Sequence, residues 1–263
     1  MKIVMTIGGS DPIAGAGIQA DIKTISAVGC YGCSVITAVT AQNTGKVLDV
    51  YNLPVEIVKA QFRAIVDDLE VDAVKIGMLS SAEIIYTVID LLKTYKLTNI
   101  VVDPVMVSSS GKKLLEDNAI SALNELIKLA DLVTPNKNEA EVIFGINLEK
   151  SDISDENKER IINFGVPNVL IKGGHFDGKH SNDILLTNGV AVDFSSERLD
   201  KKDVHGTGCT LSSAIASFLA QENDIVTSVR YAKEYITGAI RNSIKFSENH
   251  KQRLINHFYK KDF

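Results

Sequence analysis

The sequence has no tryptophan and few cysteines, only three among 263 residues. A small, odd number of cysteines does not make a disulfide framework, which excludes disulfide-stapled domains and favours the reducing cytoplasm. The N-terminal MKIVMTIGGSD joins a short apolar run directly to polar residues and has no small-residue cleavage site. We therefore interpret it as a strand rather than a signal peptide.

Long hydrophobic runs and an excess of positive charge are also absent. No stretch reaches the length of a membrane span. Lys and Arg total 28 against 33 Asp and Glu, for a net charge of −5, which argues against nucleic acid or a membrane surface as a partner. Hydrophobic residues make up 45%, as in ordinary globular proteins. Because no linker or repeat divides the chain, we predict a single domain over residues 1–263.

Apolar β-type runs alternate with amphipathic segments along the chain. The predicted strands are 2–7, 34–40, 73–77, 99–105, 131–134 and 168–172. The predicted helices are 16–28, 54–69, 82–95, 118–129, 138–144, 155–164, 210–221 and 225–244. This alternation predicts an α/β fold with a mostly parallel sheet and helices on both faces. Asn188-Gly189, between segments 183–187 and 191–194, predicts a small antiparallel edge.

The most informative segment is HGTGCT at residues 205–210, directly before the helix-forming LSSAIASFLA. Glycines flank Thr207, so bare backbone amides can face one point at a helix N-terminus, where anions bind. We therefore expect Gly206, Thr207 and Gly208 to hold phosphate. Cys209 lies where the helix field is strongest, and we expect its pKa to be lowered. The alternative is a glycine-rich turn beside a buried thiol.

Two other phosphate-binding motifs do not compete with this segment. No G-x-x-x-x-G-K-[ST] sequence occurs. GAGIQA at residues 15–20 matches the dinucleotide fingerprint G-x-G-x-x-A, but seven residues separate it from the first predicted strand, and the acidic residue expected about 20 positions later is missing. A dehydrogenase is therefore disfavoured.

Polar residues at strand ends are candidates for a ligand site, because ligands of open α/β sheets bind beyond the carboxyl ends of the strands. The Gln42 amide can pair with a heteroaromatic ring, or it is an ordinary strand-end residue. Asp21 lies among apolar residues and faces either a cleft or solvent. Met78 covers such a ring or fills the core.

Charged residues at later strand ends suggest phosphate and metal chemistry. Asp103 interrupts an apolar strand, where a carboxylate is costly unless it is paired or metal-bound. Together with Asn136 and Glu139 it supplies the oxygen ligands that Mg²⁺ prefers. The alternative is a helix N-cap at Asn136 and a capping box with Glu139. Lys172 either reaches a nucleotide phosphate or is a lone exposed lysine.

Taken together, several segments resemble the hydroxymethylpyrimidine/phosphomethylpyrimidine kinases of thiamine biosynthesis, in the ribokinase superfamily. The resemblance is carried by GSDPIAGAGIQADIKT, YGCSVITAVTAQNT, VKIGML, VVDPVM, SGKKLL, TPNKNEAE, IKGGH and HGTGCTLSSA. It implies a ribokinase-like three-layer sandwich that uses ATP to phosphorylate the pyrimidine hydroxymethyl group and then its monophosphate. Carried over by motif, it implies a pyrimidine contact at Gln42, a pocket lined by Asp21, Met78 and Val105, phosphate binding at Lys172, Mg²⁺ organised by Asp103, Asn136 and Glu139, and an anion hole from Gly206 to Cys209.

Two alternatives remain open. Pyridoxal kinases of the same lineage also end the loop in cysteine, although Gln42 and Ile76 favour the pyrimidine. A non-catalytic ligand-binding protein is the other alternative, which the joint presence of Cys209, Asp103 and Glu139 disfavours. The expected partners are a small pyrimidine, ATP and a second copy of the chain in a homodimer. The tail FSENHKQRLINHFYKKDF departs from the family pattern and puts the C-terminal wall of the nucleotide pocket in question.

Overall fold

The computed structural model describes residues 1–108, 111–148, 153–175, 180–199, 204–248 and 251–260. Its strands are β1 (Ile3–Ser10), β2 (Tyr31–Gln42), β3 (Val47–Asn52), β4 (Ala73–Ile76), β5 (Ile100–Val102), β6 (Leu132–Val133), β7 (Asn168–Ile171), β8 (His180–Thr187), β9 (Val190–Glu197), β10 (Val204–His205) and β11 (Arg253–Leu254). Its α-helices are α1 (Gly17–Ala27), α2 (Val55–Val66), α3 (Ala82–Tyr95), α4 (Ile120–Ile127), α5 (Lys137–Phe144), α6 (Asp155–Phe164), α7 (Thr207–Ala220) and α8 (Ile225–Arg241).

The first nine strands form one sheet in the order β3-β2-β1-β4-β5-β6-β7-β8-β9. The six strands from β2 to β7 in this order run parallel, which confirms the predicted mostly parallel α/β fold. The predicted hairpin is confirmed as β8 and β9, with Asn188 and Gly189 at φ values of 48° and 76°. Positive φ at both positions is what a tight two-residue hairpin turn requires. The antiparallel strand β3 at the opposite edge was not predicted.

Two hydrophobic cores lie on opposite faces of the sheet and make three layers. One core packs α2 to α6 against the strands, and the other packs α1, α7 and α8. Alternation along β4 divides its residues between them: Val74 and Ile76 enter the first core, and Ala73 enters the second. Because side chains alternate along a strand, Lys75 faces the layer of α1 and α7.

Several element boundaries differ from the sequence predictions in ways that affect the site. β1 continues to Ser10, so the residues GGS extend a strand instead of opening a loop. Pro54 is the N-cap of α2 rather than part of its first turn. α7 begins at Thr207, three residues before the predicted start at 210, which places Cys209 inside the first helical turn.

The C-terminal segment packs beside the start of α7. β11 pairs in parallel with β10, the strand directly before α7, and Ile244 bridges to Leu254. Ile255 is buried in the second core. The tail therefore supports the segment that leads into the HGTGCT turn. Among the described residues, we find no helix with the length and hydrophobicity required to span a bilayer.

Candidate active site

A cavity of about 1420 Å³ opens at the carboxyl ends of the parallel strands. The chain order of the strands reverses beside β1, which lies between β2 and β4, and such switch points are where α/β sheets bind ligands. All of the predicted site residues line this cavity: Asp21, Gln42, Met78, Asp103, Val105, Asn136, Glu139, Lys172, Gly206, Thr207, Gly208 and Cys209. The structure therefore brings them together, while the individual roles stay predictions.

The N-terminus of α7 borders this cavity without a side-chain cap. Its N-cap residue, Gly206, adopts the left-handed conformation at φ 83° and has no side chain that could accept a hydrogen bond from the first turn. Four other helices have their first turn capped by a side chain, from Ser81, Asn136, Ser154 and Asp224. An uncapped first turn beside a cavity is a favourable place for an anion, because its amides lack intrahelical acceptors.

Gly206 is required for the shape of this turn, and Gly208 lies close to two charged side chains. A Cβ atom at Gly206 would overlap the carbonyl oxygen of Gly15. A Cβ at Gly208 would lie 3.4 Å from Asp103 Oδ2 and 3.5 Å from Lys172 Nζ. The uncapped turn therefore passes directly beside a lysine ammonium, which adds a full positive charge to the partial charge of the helix N-terminus.

The predicted low pKa of Cys209 is wrong. Burial raises the pKa of this thiol to about 11, against the opposing effects of the Lys75 ammonium and a hydrogen bond from the Gly17 N–H. The carboxylates of Asp21 and Asp103 raise it further. The prediction from the helix dipole failed because burial destabilises the thiolate more than the positive N-terminus of α7 stabilises it. Cys209 is therefore a neutral thiol at pH 7 in the free protein.

Asp21 lies beneath the cavity in a buried ion pair. Lys75 Nζ is 2.9 Å from its Oδ1 and 2.8 Å from its Oδ2, and both side chains are almost completely buried. Thr6 and Ser213 donate hydrogen bonds to the same carboxylate at 2.6 and 2.7 Å. Ser213 is four residues after Cys209, so the pair lies under the helix face that carries the thiol. The solvent-facing alternative for Asp21 is wrong.

Lys172, directly after β7, contacts two acidic residues. Its Nζ lies 2.6 Å from Asp103 Oδ1 and 3.8 Å from Glu139 Oε2. Ser212 and Thr134 also donate to Asp103, at 3.5 and 3.3 Å. Burial opposes the charge of Lys172, but the two carboxylates outweigh it and its pKa is raised. Lys172 is thus a cation held beside the uncapped first turn of α7. This excludes the alternative interpretation of Lys172 as a lone exposed lysine.

Asn136 and Glu139 form a capping box at the start of α5. Asn136 Oδ1 accepts the Glu139 N–H at 3.0 Å, and Glu139 Oε2 accepts the Asn136 N–H at 2.7 Å. Burial raises the pKa of Glu139, and Asp103 adds to this effect, while Lys172 opposes it. The sequence analysis gave a helix N-cap at Asn136 and a capping box with Glu139 as the alternative to a metal site, and the structure contains this capping box.

The two carboxylates of the predicted Mg²⁺ set contact a lysine in the free protein. Over the described ranges, no three or more His, Cys, Asp or Glu side chains gather as metal ligands. The ammonium of Lys172 already lies against Asp103 and Glu139, the two carboxylates that would attract the ion. A role of Asp103, Asn136 and Glu139 in organising Mg²⁺ stays a prediction.

The wall formed by β1, β2 and the segment after β4 combines an amide with a thioether. Gln42 is the last residue of β2, and its Nε2 lies 3.5 Å from His205 Nε2. Met78 is partly exposed, and its sulfur would lie 3.0 Å from a Cβ at Gly9. The absence of a side chain at Gly9 therefore leaves room for Met78 beside the cavity. An amide and a soft apolar group on one wall suit a flat heteroaromatic ring.

Sequence reasoning missed a second buried ion pair that lines the cavity. Lys233 Nζ, from α8, lies 2.6 Å from Asp183 Oδ2, and Asp183 Oδ1 accepts the Gly173 N–H at 2.7 Å. This network ties α8 to the turn that follows Lys172. Asp183 precedes the apolar run ILL in β8, a signal of a buried and paired carboxylate that the sequence analysis did not use. Gln252, in the tail, also lines the cavity and supplies part of the wall that the sequence left in question.

A family model described as phosphomethylpyrimidine kinase matches residues 11–253. The thiamine biosynthesis bifunctional protein ThiED of Geobacter sulfurreducens is 46% identical over 239 residues, which cover 90% of this chain and 49% of that longer protein. The hydroxymethylpyrimidine/phosphomethylpyrimidine kinase of Rhizobium meliloti is 42% identical over 261 residues, which cover 98% of this chain and 97% of that protein.

Solved structures share the same ribokinase-like fold. The phosphomethylpyrimidine kinase of Clostridium difficile has 46% identity and a TM-score of 0.81, covering 91% of this chain and all of that chain. An ADP complex of Bacillus subtilis pyridoxal kinase has 33% identity and a TM-score of 0.88, covering 98% of this chain and 97% of that chain. Identity is thus higher to the pyrimidine enzyme, although the fold is common to both. The chain belongs to the phosphomethylpyrimidine kinase family and is a phosphotransferase.

Proposed function

We propose that this protein uses ATP to phosphorylate hydroxymethylpyrimidine and then its monophosphate, in thiamine biosynthesis. One observation carries the proposal: a single cavity joins an uncapped helix N-terminus beside Lys172 to a wall formed by Gln42 and Met78. The first arrangement suits a phosphate, and the second suits a heteroaromatic ring. The names of relatives that are 42% and 46% identical agree with this pairing of ligands.

Positioning and charge neutralisation supply most of the catalysis of phosphoryl transfer. The amides of Gly206 to Cys209 and the Lys172 ammonium stabilise the negative charge on the migrating phosphoryl group. Cys209 lies beside the attacking hydroxyl as base or polariser. Only its thiolate can accept the hydroxyl proton, so to act as base the thiol must first release its own proton to solvent. Because burial raises its pKa to about 11, the thiol is mostly neutral at pH 7 and in that form polarises the hydroxyl.

ATP enters as its magnesium complex, so the cation is part of the substrate. Mg²⁺ commonly binds proteins through substrate phosphates, one or two carboxylates and several waters. Asp103 and Glu139 are the acidic side chains beside Lys172 and add negative charge near such a complex.

A coupled assay of ATP consumption tests this function. Purified protein with ATP and Mg²⁺ is given hydroxymethylpyrimidine, its monophosphate or pyridoxal. The proposal predicts turnover of both pyrimidines with a higher kcat/KM than that for pyridoxal. Preferential turnover of pyridoxal would support the alternative kinase, and no ATP consumption with any of the three compounds would contradict the proposal.

We also propose that the protein is a cytoplasmic homodimer that acts through one domain. β3 is an edge strand whose Leu48 and Tyr51 are 56% and 67% exposed. Exposed apolar residues on an edge strand favour pairing with another chain. Sedimentation velocity measures the mass directly, and a monomer across the micromolar range would contradict the dimer.

A further inference from the structure

Asp11 and His205 form a buried hydrogen-bonded pair, and the proposed chemistry gives neither residue a role. His205 Nε2 lies 3.0 Å from Asp11 Oδ2, although 194 positions separate the two residues in the chain. Their side chains are 9% and 3% exposed, respectively. Asp11 lies in the loop between β1 and α1, and His205 directly precedes Gly206, the N-cap residue of α7. The pair therefore joins this loop to the uncapped first turn of α7.

Asp11 shapes its own loop through local hydrogen bonds. Its Oδ1 accepts the N–H of Ile13 at 2.9 Å, and its Oδ2 accepts those of Gly15 at 3.1 Å and Ala16 at 2.8 Å. Burial opposes the negative charge of Asp11, but hydrogen bonds from His205 and from the Ala16 N–H outweigh it and lower the pKa of this carboxyl. The loop keeps its three backbone bonds to Asp11 even when the bond to His205 is removed.

His205 is the donor in this pair. An ionised carboxylate only accepts hydrogen bonds, so Nε2 of the histidine carries a proton, whether the ring is neutral or charged. The proton is assigned from the hydrogen-bond network in this way. A glutamine at position 205 would retain an N–H donor, whereas a leucine would not. The donated bond can therefore be removed separately from the bulk of the side chain.

Close backbone contacts bring the loop against the turn. A Cβ atom at Gly206 would overlap the carbonyl oxygen of Gly15, and a Cβ at Gly15 would overlap the His205 ring. A Cβ at Gly15 would also lie 3.0 Å from Leu254 of β11, the strand that pairs with the strand containing His205. Because Asp11 Oδ2 binds both the Gly15 N–H and the His205 ring, one carboxylate oxygen fixes the loop and the turn relative to each other.

We propose that the Asp11–His205 pair positions the uncapped first turn of α7 for phosphoryl transfer. The amides of this turn must meet the migrating phosphoryl group at hydrogen-bond distance, and a displacement of about 1 Å can lower the rate about 100-fold. The bond to Asp11 holds the residue directly before Gly206 and thereby the start of the turn. Asp11 and His205 are positioning residues, because they act through the backbone of the turn. The inference rests on the proposed function, which places the phosphate there.

The variants His205→Leu and His205→Gln test this role. Without the donated bond, we expect kcat of His205→Leu to fall about 10- to 100-fold, while the KM for the pyrimidine stays within about twofold. His205→Gln retains a donor, so its kcat should stay within about threefold of wild type. Thermal unfolding followed by circular dichroism establishes that each variant is folded at the assay temperature. A wild-type kcat in His205→Leu, or an equal loss in His205→Gln, would overturn the proposal.

The KM for the pyrimidine distinguishes an effect on the turn from an effect on Gln42. His205 Nε2 also lies 3.5 Å from Gln42 Nε2. If the histidine acted through this amide, its loss would raise the KM for the pyrimidine and leave kcat nearly unchanged, which would contradict the proposal. If the wild-type protein phosphorylated neither pyrimidine, the proposed function would be wrong instead, so the two failures are distinguishable.

A double-mutant cycle tests whether the two residues act as a pair. In Asp11→Ala the histidine has no carboxylate to which it can donate. Adding His205→Leu to this variant should therefore lower kcat by less than about threefold, against the 10- to 100-fold loss of about the size expected in the wild-type background. Losses that multiply in the double variant would show that the residues act independently, contrary to the proposal.

Lys23→Met is the matched control. Lys23 Nζ, from α1, donates to the Ala14 carbonyl at 2.7 Å and supports the same loop without joining it to His205. We expect its kcat to stay within about threefold of wild type. A loss as large as that of His205→Leu would show that the rigidity of the loop, rather than its bond to the turn, sets the rate, and the proposal would be wrong.

Discussion

Lys172 Nζ lies 2.6 Å from Asp103 Oδ1, and the uncapped first turn of α7 passes beside this pair. The alternation of side chains along β5 explains why Asp103 lies close to α7. Val101 lies in the core beneath α7, so Asp103, two residues later, reaches the same face, where Ser212 of α7 donates to it. A buried carboxylate thus holds an ammonium at the point where we place the phosphate.

Removal of this ammonium should destabilise the protein. Lys172→Met leaves Asp103, which is 1% exposed, without its cation, and we expect the free energy of unfolding to fall by about 3–5 kcal/mol in urea titrations. Adding Asp103→Asn removes the unpaired charge and should recover most of the loss. Activity should stay low in both variants. If the free energy of unfolding of Lys172→Met lay within about 1 kcal/mol of the wild-type value, Lys172 and Asp103 would not be a tightly coupled pair.

Replacement of the thiol should affect turnover rather than binding. We expect Cys209→Ala to lower kcat by about 10²–10⁴ while the KM for ATP changes little, the effect of losing a positioned proton-transfer group. Near-normal turnover in this variant would remove Cys209 from the chemistry.

The raised pKa of Cys209 has its own test. Because the pKa is about 11, iodoacetamide should react slowly with this thiol at pH 7, and the rate should still rise above pH 9. Cys30 and Cys33 also have raised pKa values, so Cys209→Ala provides the background rate. A reaction that levels off below pH 8 would indicate a thiolate in the free enzyme.

Loss of the Gln42 amide should weaken pyrimidine binding selectively. For Gln42→Ala we expect the KM for the pyrimidine to rise about tenfold, the cost of a good hydrogen bond, and the KM for ATP to stay within about twofold. Initial rates with each substrate varied in turn measure both values. Equal increases in the two KM values would mean that Gln42 is only structural.

The tail should make folding stability sensitive to mild acid. His257 Nε2 lies 3.2 Å from Thr210 Oγ1 in α7, and burial, with a contribution from Lys23, lowers the pKa of His257 from 6.5 to about 4. The unfolded chain therefore binds this proton first. The contribution of the neutral His257 to the free energy of unfolding is therefore complete above pH 6.5. It falls by about 3 kcal/mol as the pH decreases from 6.5 to 4.

His257→Gln removes this proton uptake and serves as the comparison. Unfolding free energies of both proteins are measured at a series of pH values between 4 and 7, and the difference between the curves isolates His257 from the other titrating groups. Parallel curves would show that the histidine is accessible to protons in the folded state.

Much of the fold follows from local pattern. Continuous apolar runs such as VLI in β7 predicted buried parallel strands, and the bounds of α3 and α6 agree with the prediction. β3 was missed because its residues are mostly exposed on an edge strand, so no clear apolar alternation marks it. The start of α7 was misplaced because its N-cap is Gly206 in a left-handed conformation, which has no side-chain cap.

The chemistry of the site was harder to predict than its location. Motif residues at strand ends indicated which side chains gather, but not their partners. Lys75 pairs with Asp21 across 54 positions, and Lys233 pairs with Asp183 across 50. Such pairs depend on the tertiary fold. The pKa of Cys209 depends in the same way on burial, which no local pattern reveals.

A crystal structure with a non-hydrolysable ATP analogue and the pyrimidine alcohol tests the central claim most directly. The account predicts the terminal phosphate within about 3 Å of the amide nitrogens of Gly208 and Cys209 and of Lys172 Nζ, with the hydroxymethyl group beside the thiol. A phosphate bound elsewhere, with the first turn of α7 hydrogen-bonded to other acceptors, would contradict it.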